Sequence, residues 1–273
     1  MRFLAFDIEC ARVSKTAAHI LSFGYALADE NFTVLEQEDI LINPGTKIYV
    51  HNKKGEGIDL PYTDEGLNTQ PKFPLVYRRI RELLEDRDTV VVGHATMNDA
   101  RYLNLDTQRF HLPPLRFRFY DTQLLCAGIA EDYTAFRGLE HIAKEWGIEY
   151  NAHCSMEDAL LTLKILQTLC EKEGGFLPMI HRLGVEEGRV MGYEAIPSTT
   201  AAYREILLER ERKKQQRREN YEKMMAARAA KRARREKQAQ NGQKKLQNKE
   251  VGTEKAKTSQ NKQVPTALPP KNV

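Results

Sequence analysis

The chain has 273 residues, 42 Lys and Arg against 38 Asp and Glu, four Cys and a formal net charge of +4 at neutral pH. That length suits one large domain or two small ones, cysteines without a CxxC pair or zinc-type spacing exclude a disulfide framework, and no run of about 18 apolar residues offers a membrane span. The charge is divided: residues 204–273 carry 21 Lys and Arg against 8 Asp and Glu, and residues 1–203 carry 21 against 30, so an acidic body that suits cations is joined to a basic arm that suits polyanions.

RFLAFDIE (2–9) reads as a buried strand ending in two carboxylates, Asp7 and Glu9, which the period of two places on one face. Like charges so close raise each other's pKa and destabilise the fold unless something positive lies between them. HILSFGYALA (19–28) and FTVLEQEDILI (32–42) are further strands, joined as a hairpin across Asp29-Glu30-Asn31. Residues 43–73, with Pro44, Pro61, Pro71 and four glycines, form a long irregular excursion of the kind that serves a site. Val76, Ile80, Leu83 and Leu84 mark a helix. Thr89–Val92 is a strand buried on both faces. A short helix at 97–104, a strand at 117–121 and a helix from Thr122 follow. Leu139, Ile142, Ala143 and Trp146 repeat at helical spacing before a Gly147 stop. Ala159, Leu163, Leu166 and Cys170 mark the last core helix. Three strands followed by strands alternating with helices predict an α/β fold with a mixed sheet. Residues 203–240 are helix formers with Glu-to-Lys/Arg spacings of three or four and no apolar face, a long basic helix. Residues 241–273 bury almost nothing and are expected to be disordered.

Three places set carboxylates at the ends of buried elements. Besides Asp7 and Glu9, VVVGHATMNDARYL (90–103) breaks a strand at Gly93 and puts Asp99 in the first turn of a helix. Thr96 and Asp99 have capping-box spacing, so Asp99 has a plain structural use as well. NAHCSMEDALLTLKIL (151–166) repeats that spacing in Ser155 and Asp158, with His153 on the incoming loop, where a neutral-range imidazole suits a general base. Four converging acids are tolerable if divalent cations neutralise them, and an all-oxygen set selects Mg²⁺ or Mn²⁺.

FDIEC, VVGHATMND and HCSMEDALLT, with LINPG, FYDTQLL and GLEHIAKEWGI between them, together resemble the motifs of the DEDDh 3′→5′ exonucleases, over residues 2–172. The resemblance implies a ribonuclease-H-like fold, a mixed five-stranded sheet flanked by helices. It implies two Mg²⁺ or Mn²⁺ ions, with Asp7 bridging both, Glu9 and Asp158 on the nucleophile side, and Asp99 on the second, largely through water. His153 would deprotonate the attacking water in a two-metal displacement that releases nucleoside 5′-monophosphates from single-stranded or frayed 3′ ends. Cys10 stands where the family usually has Thr, Ala95 where Asn is common, and Asn98 where Phe is common. Positions in these motifs touch the terminal nucleotide in relatives, and the resemblance makes Cys10, His94 and Asn98 the candidate substrate contacts. DIEC is instead like the exonuclease motif of family B polymerases, but those carry Tyr-x3-Asp in the third motif, where Cys154 stands here and His153 fits the histidine subtype.

The expected organisation is an exonuclease domain at 1–175, a connecting segment at 176–202, the basic helix at 203–240 and the tail at 241–273. The basic arm is expected to meet nucleic acid or a ribosome, and a polymerase is a further candidate partner. DNA is slightly favoured as substrate; RNA 3′-end trimming is the alternative, and a non-catalytic nucleic-acid-binding protein on the same fold is a third reading. With only four apolar residues between Arg2 and Asp7, no signal peptide is expected, and a cytoplasmic protein is expected.

Overall fold

The structure is a computed structural model and describes residues 1–48 and 60–260, side chains of 233, 234 and 238–260 excepted. Its first elements are β1 (Arg2–Cys10), β2 (Ile20–Ala28), β3 (Val34–Leu41), α1 (Asp64–Asn68), α2 (Phe73–Leu84) and β4 (Thr89–Gly93). Then come α3 (Met97–Arg109), β5 (Arg116–Asp121), α4 (Thr122–Ile129), α5 (Leu139–Trp146) and α6 (Ser155–Glu173). Last are α7 (Phe176–Leu183), β6 (Gly188–Met191), β7 (Glu194–Ile196) and α8 (Ala201–Gln260).

Phe3, Leu4, Ala5 and Phe6 are all buried, because β1 is covered on both faces. Its alternation sorts the core into two layers. Leu4, Phe6 and Ile8 pack with Ile80 of α2 and Leu103 of α3. Phe3 and Ala5 pack with Leu163 and Leu166 of α6 and Met179 of α7. Continuing the same period, Asp7 and Glu9 fall on the α6 side.

The sheet order is β3-β2-β1-β4-β5-β6-β7. β1, β2 and β3 pair antiparallel, and β4 joins β1, and β5 joins β4, in parallel. The mixed sheet is thus as expected, in a sheet of seven strands instead of five. The extra pair, β6 and β7, adds antiparallel to β5 from the stretch read as a connecting segment. Strands of four and three residues are too short to show a period of two in sequence.

The hairpin break is fixed by Asp29, whose Oδ1 accepts from the Asn31 and Thr33 amides. Gly147 ends α5 in the left-handed region, with φ 66°, as a C-terminal glycine should. α3 runs to Arg109, beyond the short helix expected at 97–104, and Leu105, Asp106 and Thr107 continue its buried face. In the excursion after β3, residues 49–59 lie outside the described residues; α1 and a bridge between Asn43 and Lys72 organise the rest.

The chain divides into two compact units, Met1–Leu207 and Leu208–Val273. The first holds the sheet and α1 to α7. The second is helical to Gln260, past the point at 241 where disorder is expected, since Lys, Gln, Glu and Ala favour helix on either side of Gly242. The rest of that expected tail, 261–273, lies outside the described residues. Exposed i,i+3 and i,i+4 pairs, among them Lys213–Glu209 at 3.3 Å and Arg218–Glu222 at 3.2 Å, lace the helix. No helix among the described residues is long and apolar enough to cross a membrane.

Candidate active site

Asp7 pairs in register with Gly24 of β2, and Glu9 with Ser22. These small residues let α6 begin directly on the sheet: a Cβ on Gly24 would lie 2.0 Å from the Ser155 carbonyl carbon and 2.1 Å from the Met156 nitrogen. The close approach brings the first turn of α6 onto β1. Carboxylate oxygens of Asp7, Glu9 and Asp158 consequently lie within 4.8 Å of one another.

Asp99 arrives from the other side. β4 runs parallel to β1 and stops at Gly93, and Ala95, at φ 57°, turns the chain into α3. Asp99 sits in its first turn, 5% exposed, on the same cleft. The capping boxes expected at both helix starts do not form. Thr96 makes no cap bond, and its Oγ1 is buried without a partner. Asp121, at the end of β5, accepts from the Ala95 and Thr96 amides at 3.0 and 3.1 Å and from Gln123 at 3.0 Å, so one carboxylate serves two helix starts. In α6 the N-cap residue is Cys154, which makes no side-chain cap bond, and Ser155 lies inside the helix.

Burial and mutual repulsion dominate the electrostatics. Burial, then Asp99, Asp158 and Glu9, hold the Asp7 carboxyl well above the ordinary carboxylate range. Burial and then Glu9 raise Asp99 in the same way. Asp158 is pushed up to about 7 by burial and Glu9, with His153 opposing. Such a cluster fits a cation: its donors are carboxylate oxygens, which suit hard divalent ions.

His153 stands at the mouth with φ 63°, its side chain 37% exposed. Nδ1 lies 3.5 Å from Glu9 Oε1 and Nε2 lies 3.3 Å from Glu140 Oε1. The bond with Glu9 chiefly raises its pKa. All five residues of the expected set therefore line one open cleft of about 990 Å³.

A family model described as exonuclease, of the RNase T type, matches residues 4–166. The chain belongs to the exonuclease family. This bears out the resemblance carried by FDIEC, VVGHATMND and HCSMEDALLT. The exonuclease fold recurs in solved structures. A 3′-exonuclease described as recognising a histone mRNA stem-loop is similar with a TM-score of 0.54 at 9% identity, over 73% of this chain and 71% of that one. The zinc-bound E. coli ExoI–ssDNA complex has a TM-score of 0.52 at 19% identity, over 67% of this chain and 42% of that one. No curated protein matches.

Of the candidate substrate contacts on this exonuclease, Cys10 and Asn98 line the cleft. His94 borders it, but its ring is turned inward: Nδ1 lies 2.9 Å from Thr122 Oγ1 and Nε2 2.8 Å from the Arg137 carbonyl oxygen. Burial lowers its pKa to about 4, so it is a neutral tether for the segment before α5, with no ring nitrogen left for a substrate. Sequence reading missed Glu140, Tyr102 and Tyr150, which also line the cleft. Glu140 follows Gly138-Leu139 at a helix start, where an acid reads as a dipole complement and gives no other signal.

Proposed function

We propose that this exonuclease is metal-dependent and works from the 3′ end of single-stranded or frayed nucleic acid, releasing nucleoside 5′-monophosphates. The observation that carries the reading is the convergence of Asp7, Glu9 and Asp158 within 4.8 Å in a cleft shared with Asp99 and His153. Asp7, Glu9, Asp99 and Asp158 would hold two Mg²⁺ or Mn²⁺ ions, which when bound supply an acidified water and neutralise the leaving 3′-oxygen. The chain's own part is to fix the carboxylates on rigid elements, to bury them and to move one proton. Nδ1 of His153 faces Glu9, and Nε2, which faces the exposed Glu140 at 3.3 Å, would exchange that carboxylate for the attacking water and take its proton. Cys10 and Asn98, which line the cleft, would flank the terminal nucleotide.

The test is Mg²⁺-dependent digestion of matched 5′-labelled DNA and RNA oligomers. A ladder shortening from the 3′ end supports the reading; products of internal cleavage, or activity unaffected by chelator, overturn it. DNA is the substrate slightly favoured. The fold shared with an exonuclease described with histone mRNA keeps RNA trimming as the second reading, and the oligomer pair separates the two. His153→Ala is expected to lower single-turnover cleavage by about 10² to 10⁴, the range of a general base, with the metal requirement unchanged. A loss below about fivefold would remove His153 from the proton path.

The basic helix serves as a nucleic-acid arm on this reading, with a ribosome or polymerase as the alternative partner. Residues 204–222 carry seven Lys and Arg against five Glu, many of them paired, whereas 223–237 carry seven against one. Phosphate contact is therefore expected beyond Tyr221. Truncation after residue 207 should weaken oligomer binding and flatten its log–log salt slope by about 5, at roughly 0.7 per neutralised phosphate of a single strand. An unchanged slope would assign the arm to a different partner.

A further inference from the structure

The helix that carries Asp158 has no cap of its own. The first N–H of α6, that of Ser155, donates to the Tyr62 hydroxyl, 3.1 Å away and 93 residues earlier in the chain. That hydroxyl donates to Asp39 Oδ2 at 2.8 Å and accepts from Ser22 Oγ at 3.0 Å. A phenol has one proton and two lone pairs, and here all three are used. Ser155 Oγ donates to Asp39 Oδ1 at 2.7 Å, so both carboxylate oxygens of Asp39 are bound as well. Ser22 and Ser155 are fully buried, and Ser22 is the register partner of Glu9. Four side chains from β2, β3, the excursion and α6 thus close one network under the first turn of the helix.

We propose that Tyr62, with Asp39, is a positioning residue for the carboxylate cluster, setting where Asp158 meets Asp7 and Glu9. A shift at the first turn of a helix moves Asp158 directly, whereas the body of α6 is held by Leu163, Leu166 and Leu169 in the core. Loss of the hydroxyl therefore acts on the site more than on the fold. It leaves the Ser155 amide without a partner and Asp39 Oδ2 with only the weak Cys154 thiol at 3.9 Å, and the helix start relaxes away from β1 to recover them. The proposal rests on the exonuclease reading only for what the carboxylates hold.

The experiment is Mn²⁺ binding to the full-length protein without nucleic acid, read from the electron paramagnetic resonance signal of free Mn²⁺. Tyr62→Phe is expected to weaken binding by about 10-fold to 100-fold, the usual effect of groups that orient metal ligands. Cleavage should show kcat falling in step, with KM for the oligomer within about twofold of wild type. Ser155→Ala keeps the amide and Tyr62 in place and frees one Asp39 oxygen, so it should show a smaller loss of the same sign. It carries the test by the same readout where Tyr62→Phe does not fold. Wild-type Mn²⁺ affinity in a folded variant overturns the proposal, even with a lowered Tm, because a merely structural role predicts that result. Absence of Mn²⁺ binding in the wild type overturns the cation reading itself, and the proposal with it.

Discussion

Asp7→Asn is expected to lower Mg²⁺-dependent mononucleotide release by at least about 10³, some 4 kcal/mol of transition-state stabilisation, while making the metal-free protein more stable. The two effects share one cause. Asp7 is buried among Asp99, Asp158 and Glu9, and burial and these neighbouring acids oppose its ionisation. The raised pKa values mean that the folded state binds more protons than the unfolded chain, so metal-free stability falls as pH rises. For Asp158 the window opens at the ordinary carboxylate pKa and closes near 7, and for Asp7 it opens at the same point and extends upward with its raised pKa. In chelator at pH 7.5 the Asn variant should melt about 3 °C or more above wild type, the shift that roughly 1 kcal/mol gives in a protein of this size. At pH 4 the difference should vanish. Mg²⁺ should raise the Tm of wild type well above that of the variant. Melting curves in chelator and in Mg²⁺ at both pH values check all of this. An Asn variant less stable than wild type at pH 7.5 would mean that the acids are not in conflict.

Gly24→Ala is the second large effect, and it acts through backbone alone. The new methyl would lie 2.0 Å from the Ser155 carbonyl carbon, and neither a strand paired on both sides nor the start of a packed helix has a flexible end that can yield. The expected cost is at least about 3 kcal/mol, the upper range of overpacking. Whatever protein remains folded must hold α6 away from β2 and carry Asp158 with it. Denaturant titration should show the midpoint falling at constant m-value, and activity per folded molecule should fall too. Wild-type stability and activity in Gly24→Ala would contradict the contact between β2 and α6.

Where a residue's role depends on neighbours in sequence, the sequence discloses it. The apolar run before Asp7, the break at Gly93 before Asp99, and the stripe of Ala159, Leu163 and Leu166 behind Asp158 are local patterns, and each is found in its expected element. Roles that depend on partners far along the chain leave no such trace. Thr96 and Ser155 have the spacing of caps, but Asp121 and Tyr62 reach those helix starts first. The family resemblance makes His94 a candidate substrate contact, yet its Nδ1 faces Thr122 and its Nε2 the Arg137 carbonyl. Tyr62 and Asp39 look like a loop aromatic and one acid of a polar strand until the sheet brings them to one point. The two strands after α7 escape notice because they are stabilised by the edge of β5 and not by a pattern of their own.

Asp7 and Asp158 lie roughly 150 residues apart in the chain and meet at one point. Closing a loop of that length costs about 4 kcal/mol of chain entropy, and repulsion between the two acids adds to the cost as the loop closes. Refolding without divalent ions should therefore pass through a stage in which the hairpin and its helices are formed while the ends of that loop stand apart. An ion gripping both acids would act as a clip between the first strand and α6, and would so shape the order of folding as well as any chemistry at the cleft.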